Sequence, residues 1–122
     1  MKKRPCILIV EDDNSLRETM KDILRRRHYQ VTESATIGAA HRNLKENFFD
    51  IILLDLTLPD GSGLDILQKI SLSYRNRIIV ISGTGTIDTA VQAMRRGALD
   101  FLEKPVERDV LLVTIKKAIA LN

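Results

Sequence analysis

The sequence predicts an α/β fold: a doubly wound, five-stranded parallel sheet with helices on both faces, giving a three-layer α/β/α sandwich. Three observations lead there. Five short runs rich in Ile, Val and Leu are continuously apolar rather than alternating, the mark of strands buried on both faces. Stretches of helical period separate them, so strand and helix alternate along the chain. No internal repeat, low-complexity tract or long linker interrupts the alternation, and 122 residues fall within the one-domain range of about 100–150.

The strands are expected at Cys6–Val10, Tyr29–Glu33, Asp50–Leu54, Arg77–Ile81 and Ala98–Leu102. The first helix reads from Ser15, where Ser15 and Glu18 have the spacing of a capping box, with Leu16, Met20, Ile23 and Leu24 on one face and an end near Arg27. A second helix fits Thr36–Glu46, with Ile37, Ala40 and Leu44 inward. The third starts at Ser62, spaced to Asp65 as in a capping box, and turns Leu67 and Ile70 inward. The fourth begins at Thr86, carries Ile87, Ala90, Val91 and Met94 on an apolar stripe and stops at Gly97; the fifth runs from about Glu107 to Ala120. Right-handed crossovers place the C-terminal ends of all five strands on one edge, where open α/β sheets bind ligands.

Composition narrows the function. Hydrophobic residues make up 44% and charged residues 29%, as in an ordinary globular domain. The longest apolar run is far short of the ~20 residues a bilayer span needs, and the run after Met-Lys-Lys-Arg-Pro is too short for a signal-peptide core, so a cytoplasmic location without membrane contact is expected. Cys6 is the single cysteine and reads as a small buried hydrophobe. The net charge of +3 is spread over Lys2–Arg4, Arg25–Arg27 and Arg95–Arg96 without interleaved aromatics, which argues against direct nucleic-acid binding by this domain.

The chemistry gathers at the strand ends: Glu11, Asp12 and Asp13 after the first, Asp55 after the third, Ser82 after the fourth, and Lys104 followed by Pro105 after the fifth. Crowded carboxylates repel one another and stay ionised together only if a cation neutralises them. The donors are all oxygen, which favours Mg²⁺ held by one or two carboxylates, a backbone carbonyl and a phosphoryl oxygen; isolated His28 and His41, both expected at the surface, offer no zinc spacing. Asp55 is the candidate nucleophile, able to attack phosphorus and form an acyl phosphate, while the Lys104 ammonium and Ser82 hydroxyl contact the phosphoryl oxygens. For Asp13 a helix N-cap or turn residue is the preferred reading. Gly61 and Gly63 read as turn residues after Pro59 rather than as a phosphate-binding loop.

These residues stand in segments whose order and spacing are specific: Ile-Leu-Ile-Val-Glu-Asp-Asp at 7–13, Ile-Ile-Leu-Leu-Asp-Leu-Thr-Leu-Pro-Asp-Gly-Ser-Gly-Leu at 51–64, Ile-Val-Ile-Ser-Gly at 79–83 and Gly-Ala-Leu-Asp-Phe-Leu-Glu-Lys-Pro at 97–105. Together they resemble the receiver domain of bacterial two-component response regulators over nearly the whole chain. The resemblance implies a CheY-like, flavodoxin-like sheet of order 2-1-3-4-5 and a phosphoacceptor switch rather than an enzyme that turns over substrate. It also implies Asp55 as phosphoacceptor and Glu11 and Asp12 as the acidic pair, with Mg²⁺, or Mn²⁺ in its place, held by Glu11, Asp12, Asp55 and the Thr57 backbone carbonyl. Lys104 becomes the site lysine with a cis bond to Pro105, Ser82 the switch hydroxyl and Phe101 the switch aromatic. Two departures are mild: the pair reads Glu-Asp where Asp-Asp is common, and Gly83 stands where Ala is frequent.

The segments 86–97 and 100–105 are most similar to receivers of NtrC-type transcription regulators, which implies a domain spanning 1–122 excised from a longer regulator. The partners implied are a sensor histidine kinase or phosphotransfer protein, the protein's own output domain or a downstream protein, and a homodimer formed on phosphorylation. Three competing readings are weighed. A haloacid-dehalogenase-type phosphatase places an acid-base Asp two residues after the nucleophile, where this chain has Thr57. A flavodoxin-like flavin or nucleotide protein needs a Gly/Ser/Thr-rich loop where Glu11-Asp12-Asp13 would repel an anion. A silent pseudo-receiver acting by contacts alone does not need the complete set of site residues.

Overall fold

The computed structural model describes residues 4–83 and 86–122, so Lys2 and Lys3 of the N-terminal basic cluster lie outside the described residues. Five parallel strands, β1 (Cys6–Val10), β2 (Gln30–Ser34), β3 (Ile51–Asp55), β4 (Ile78–Ser82) and β5 (Asp100–Glu103), form one sheet in the order β2-β1-β3-β4-β5. The helices are α1 (Asn14–Arg25), α2 (Ile37–Glu46), α3 (Gly63–Ile70), α4 (Ile87–Arg95) and α5 (Arg108–Leu121).

The pleat sorts each central strand between two cores. Leu8, Val10, Ile52, Leu54, Ile78 and Val80 face α2, α3 and α4 through Ala40, Ile66, Leu67 and Ala93. Their neighbours Ile7, Ile9, Ile51, Leu53, Ile79 and Ile81 face α1 and α5 through Met20, Leu24, Leu111 and Ile115. A strand buried on both faces has no side on which a polar residue is cheap, hence the unbroken apolar runs.

Polar residues at the strand feet account for small shifts from the expected bounds. Asp50 turns its carboxylate back to accept from the Cys6 amide at 2.7 Å, and Arg77 donates to the Asp50 carbonyl at 3.2 Å, so β3 and β4 each begin one residue later and end on Asp55 and Ser82. Asp55 is therefore the last residue of its strand, not the first beyond it. Cys6 is half-buried at the start of β1, not fully buried.

Helix starts differ where a nearer acceptor wins. Asp13, not Ser15, caps α1, its Oδ1 accepting from the Leu16 amide at 3.1 Å, and Glu18 pairs with Lys21 at 2.8 Å instead of reaching back. Ser62 caps α3 through the Leu64 amide, while Asp65 reaches across to Arg96 at 3.5 Å. The apolar stripe of α4 does not point inward: Ile87 is 86% exposed, Val91 and Met94 are exposed, and Ala93 meets the core in their place. Small residues let α4 lie close to the sheet, leaving its larger side chains on the outer face.

Between β3 and α3 the chain forms a short hairpin that periodicity does not reveal, Thr57–Leu58 pairing antiparallel with Gly61–Ser62. Gly61 serves as a turn residue, as expected, with φ +153°. Gly63 instead opens α3, and a side chain there would run into the Asp55 carbonyl oxygen and lie 2.6 Å from the Leu56 Cα. Since both obstacles are backbone, Gly63→Ala is expected to cost about 2 kcal/mol or more. By contrast, a Cβ on Gly83 would meet, among the described residues, the Lys104 side chain at ordinary distances of 3.6 Å and 4.0 Å, so Gly83→Ala should fall within about 0.5 kcal/mol of wild type. Urea unfolding of both variants measures the contrast, and equal midpoints would contradict it.

Candidate functional site

The parallel register carries four strand ends to one rim: Val10 lies beside Leu54, Asp55 beside Ile81, and Ser82 beside Glu103. Glu11 extends β1 by one step, its amide donating to the Ser34 carbonyl at 2.9 Å, and its side chain turns into the rim at 1% exposure. Asp55 is 3% exposed, while Asp12 remains exposed beside it. Carboxylate oxygens of Glu11, Asp12 and Asp55 lie within 4.8 Å of one another.

Lys104 reaches this cluster from the far side. Its Nζ lies 2.7 Å from Glu11 Oε1 and 3.4 Å from Asp55 Oδ2. The bond from Lys104 to Pro105 is cis, and the Lys104 amide donates to the Ser82 carbonyl at 2.9 Å, fixing where the lysine leaves the backbone. The other Asp55 oxygen, Oδ1, accepts from the Thr57 amide at 3.2 Å, and Glu11 Oε2 accepts a long bond from the Asp13 amide at 3.4 Å. Arg17, which sequence reasoning did not single out, donates to the Glu11 carbonyl at 2.7 Å and pairs with Glu33 at 3.5 Å. Its spacing from Glu11 along the first turns of α1 is the only signal the sequence holds for it.

One ammonium does not neutralise three carboxylates. The pKa of Glu11 is pushed up to about 7, first by burial and then by the neighbouring Asp55 carboxyl, with Lys104 only partly opposing the rise. Lys104 itself loses stabilisation by burial, but Glu11 and Asp55 outweigh that and raise its pKa. Glu11 Oε1 touches the ammonium yet has no aligned hydrogen-bond donor among the described residues, so a buried acceptor keeps spare capacity. An all-oxygen donor set, excess negative charge and an under-satisfied buried oxygen together fit a small hard cation such as Mg²⁺.

Ser82 is 1% exposed at the end of β4, and Phe101, half-buried on neighbouring β5, packs against the core beneath α2, α3 and α4. Thr57 is exposed, at the start of the hairpin. His28 and His41 are exposed and away from the rim; His28 has a left-handed backbone at φ 68°, just beyond the end of α1. The Asp13 carboxylate is spent on capping α1. A cavity of about 540 Å³ lined by His41, Phe48, Lys69 and Tyr74 lies near the N-terminal ends of β3 and β4 and includes none of the rim residues.

Comparison with known proteins agrees with this geometry. The family model described as the response regulator receiver domain matches residues 7–116. Response regulator protein PilR of Pseudomonas aeruginosa is 36% identical over 120 residues, covering 98% of this chain and 27% of its own. The DNA-binding transcriptional regulator NtrC of Azospirillum brasilense is 32% identical over 117 residues, 95% of this chain and 24% of its own. The chain thus spans about a quarter of the length of these curated relatives. Among solved structures, the beryllofluoride-activated NtrC4 receiver domain dimer superposes with a TM-score of 0.89 at 37% identity, covering 95% of this chain and 97% of that one.

The raised Glu11 pKa has a defined consequence for stability. Over the window between its ordinary value of 4.5 and about 7 the folded protein holds a proton that the unfolded chain has released. Its contribution to stability is therefore complete below the lower value and lost as pH rises through the upper one. Without divalent cations, wild type should lose more thermal stability than Glu11→Gln between about pH 5 and pH 8. Parallel melting curves for the two proteins would remove Glu11 as the titrating group.

Proposed function

The chain belongs to the response regulator receiver family, most like its NtrC-type members, and from that premise we propose that it is a phosphorylation switch whose acceptor is Asp55. The observation that carries the proposal is the rim cluster: three carboxylates within 4.8 Å and one lysine ammonium touching two of them. In a receiver the acidic pocket holds Mg²⁺. Here Glu11, Asp12, Asp55 and the Thr57 carbonyl would hold the ion, with Mn²⁺ as a substitute.

A carboxylate oxygen of Asp55 attacks the phosphorus of the donor, the new O–P bond forms, and the bond to the donor's leaving group breaks with the electron pair departing on that group. A cation held by Glu11, Asp12, Asp55 and the Thr57 carbonyl would supply charge neutralisation to the incoming phosphoryl group. Lys104, already 3.4 Å from Asp55 Oδ2, offers its ammonium to the phosphoryl oxygens, and burial of Asp55 restricts water near the reacting atom. Ser82, next to Asp55's strand, donates its hydroxyl to the phosphoryl group, and the space it leaves admits the Phe101 ring. The face made by α4, β5 and α5 changes as a result.

Exposed Ile87, Val91 and Met94 on α4 and Val110 and Val113 on α5 give that face an apolar surface suited to a phosphorylation-dependent homodimer or to an output domain. The donor is a sensor histidine kinase or phosphotransfer protein, and the output is transcription carried by further chain rather than nucleic-acid contact by this domain. The domain acts as a switch, not as an enzyme on other substrates, and works in the cytoplasm; no helix of the described residues is long and apolar enough to cross a membrane. Thr57, at the second residue after Asp55, lacks the carboxyl that a haloacid-dehalogenase-type phosphatase uses as acid and base.

Incubation with acetyl phosphate, followed by intact mass, tests the reading. Wild type should gain one phosphoryl group with Mg²⁺ and none with chelator, and Asp55→Asn none under either condition. Ser82→Ala should still be modified but fail to dimerise on sizing. A mass gain that survives Asp55→Asn, or no gain in wild type, would sink the assignment.

A further inference from the structure

The hairpin turn is held by a contact that neither the motif pattern nor the rim chemistry requires. Asp60, on the turn between Leu58 and Gly61, places Oδ1 2.9 Å from the Ile37 amide and Oδ2 3.0 Å from the Gly38 amide. Thr36, the N-cap of α2, accepts from the Ala39 amide at 3.0 Å. The first three amides of α2 are thus all satisfied, two of them by a residue more than twenty positions along the chain. Gly61 closes the same joint: its φ of +153° brings it against Ile37, whose Cδ1 would sit 2.9 Å from any added Cβ. The two amides also hold the Asp60 carboxyl below its ordinary pKa, so it stays charged at neutral pH.

At its other end the hairpin meets Asp55. The Thr57 amide donates to Asp55 Oδ1 at 3.2 Å, the Gly63 amide donates to the Leu56 carbonyl at 2.8 Å, and Thr57 faces Ser62 across a ladder only two residues long. Two-residue strands have little stability of their own. Leu58, buried in the core, anchors one side chain of the hairpin, while Thr57 beside it is exposed.

From this joint we infer that Asp60 is a positioning residue: by clasping the N-terminus of α2 it holds the hairpin in the orientation that presents the Thr57 backbone to the cation beside Asp55. The inference rests on the receiver reading given above. Asp60 touches neither the cation nor the phosphoryl group. Losing it should weaken cation binding while leaving the acceptor and its lysine in place, as loss of an outer-shell partner generally does.

Calorimetric titration of the metal-free protein with Mg²⁺ tests the clasp in wild type, Asp60→Ala and Asp60→Asn. The Kd should rise on the order of 10-fold in Asp60→Ala and less in Asp60→Asn, which keeps one acceptor for the two amides. Phosphorylation by acetyl phosphate should slow in Asp60→Ala at low Mg²⁺ and recover at saturating Mg²⁺. A structural role alone would lower the melting temperature and leave Kd unchanged, and that result in folded Asp60→Ala overturns the clasp. If Asp60→Ala does not fold by circular dichroism, an unchanged Kd in Asp60→Asn overturns it instead. Absence of Mg²⁺ binding in wild type would overturn the receiver reading and the clasp with it, so the two failures are distinguishable.

Discussion

Two nearly buried carboxylates and a third exposed one, with a single ammonium between them, form an arrangement that folding alone does not favour. Removing such charges from water costs several kcal/mol each, and Lys104 compensates only part of that for Glu11 and Asp55. The deficit appears as the high Glu11 pKa and the under-satisfied Oε1. A bound cation at the end of these buried strands would relieve that unfavourable charge.

The remainder of the structure makes that arrangement possible. Strands buried on both faces leave β1, β3 and β4 little freedom, so Glu11, Asp55 and Ser82 project from fixed positions. The hydrogen bond that the Lys104 amide donates to the Ser82 carbonyl returns Lys104 to the same rim from β5. Gly63, unable to bear a side chain beside the Asp55 carbonyl, lets α3 begin directly under the site. The packed core lies beneath the rim, whereas the outer face of α4 keeps exposed apolar side chains.

Much of this was legible in the residues because it depends on periodicity and on strand ends. Apolar runs located the strands to within about two residues, the edge strand β2 least clearly because Tyr29–Glu33 carries Gln, Thr and Glu, and the carboxylates and lysine at the strand ends converge. Local competition for hydrogen bonds was harder to read. The Ser15–Glu18 spacing suggested a cap, but Asp13 stands at the helix entrance and a carboxylate accepts well there. The direction of the α4 stripe was not legible either, because periodicity tells which residues share a face and not which way the face points. Long-range contacts such as Asp60 on α2 leave no periodic trace at all.

The account turns on whether a cation occupies the acidic rim, and amide shifts in ¹⁵N-labelled protein titrated with Mg²⁺ report this residue by residue. Saturable shifts are expected at residues 11–13, 55–57 and 104, with the far ends of β3 and β4 unmoved. Shifts scattered over surface carboxylates, or none that saturate, would contradict the claim.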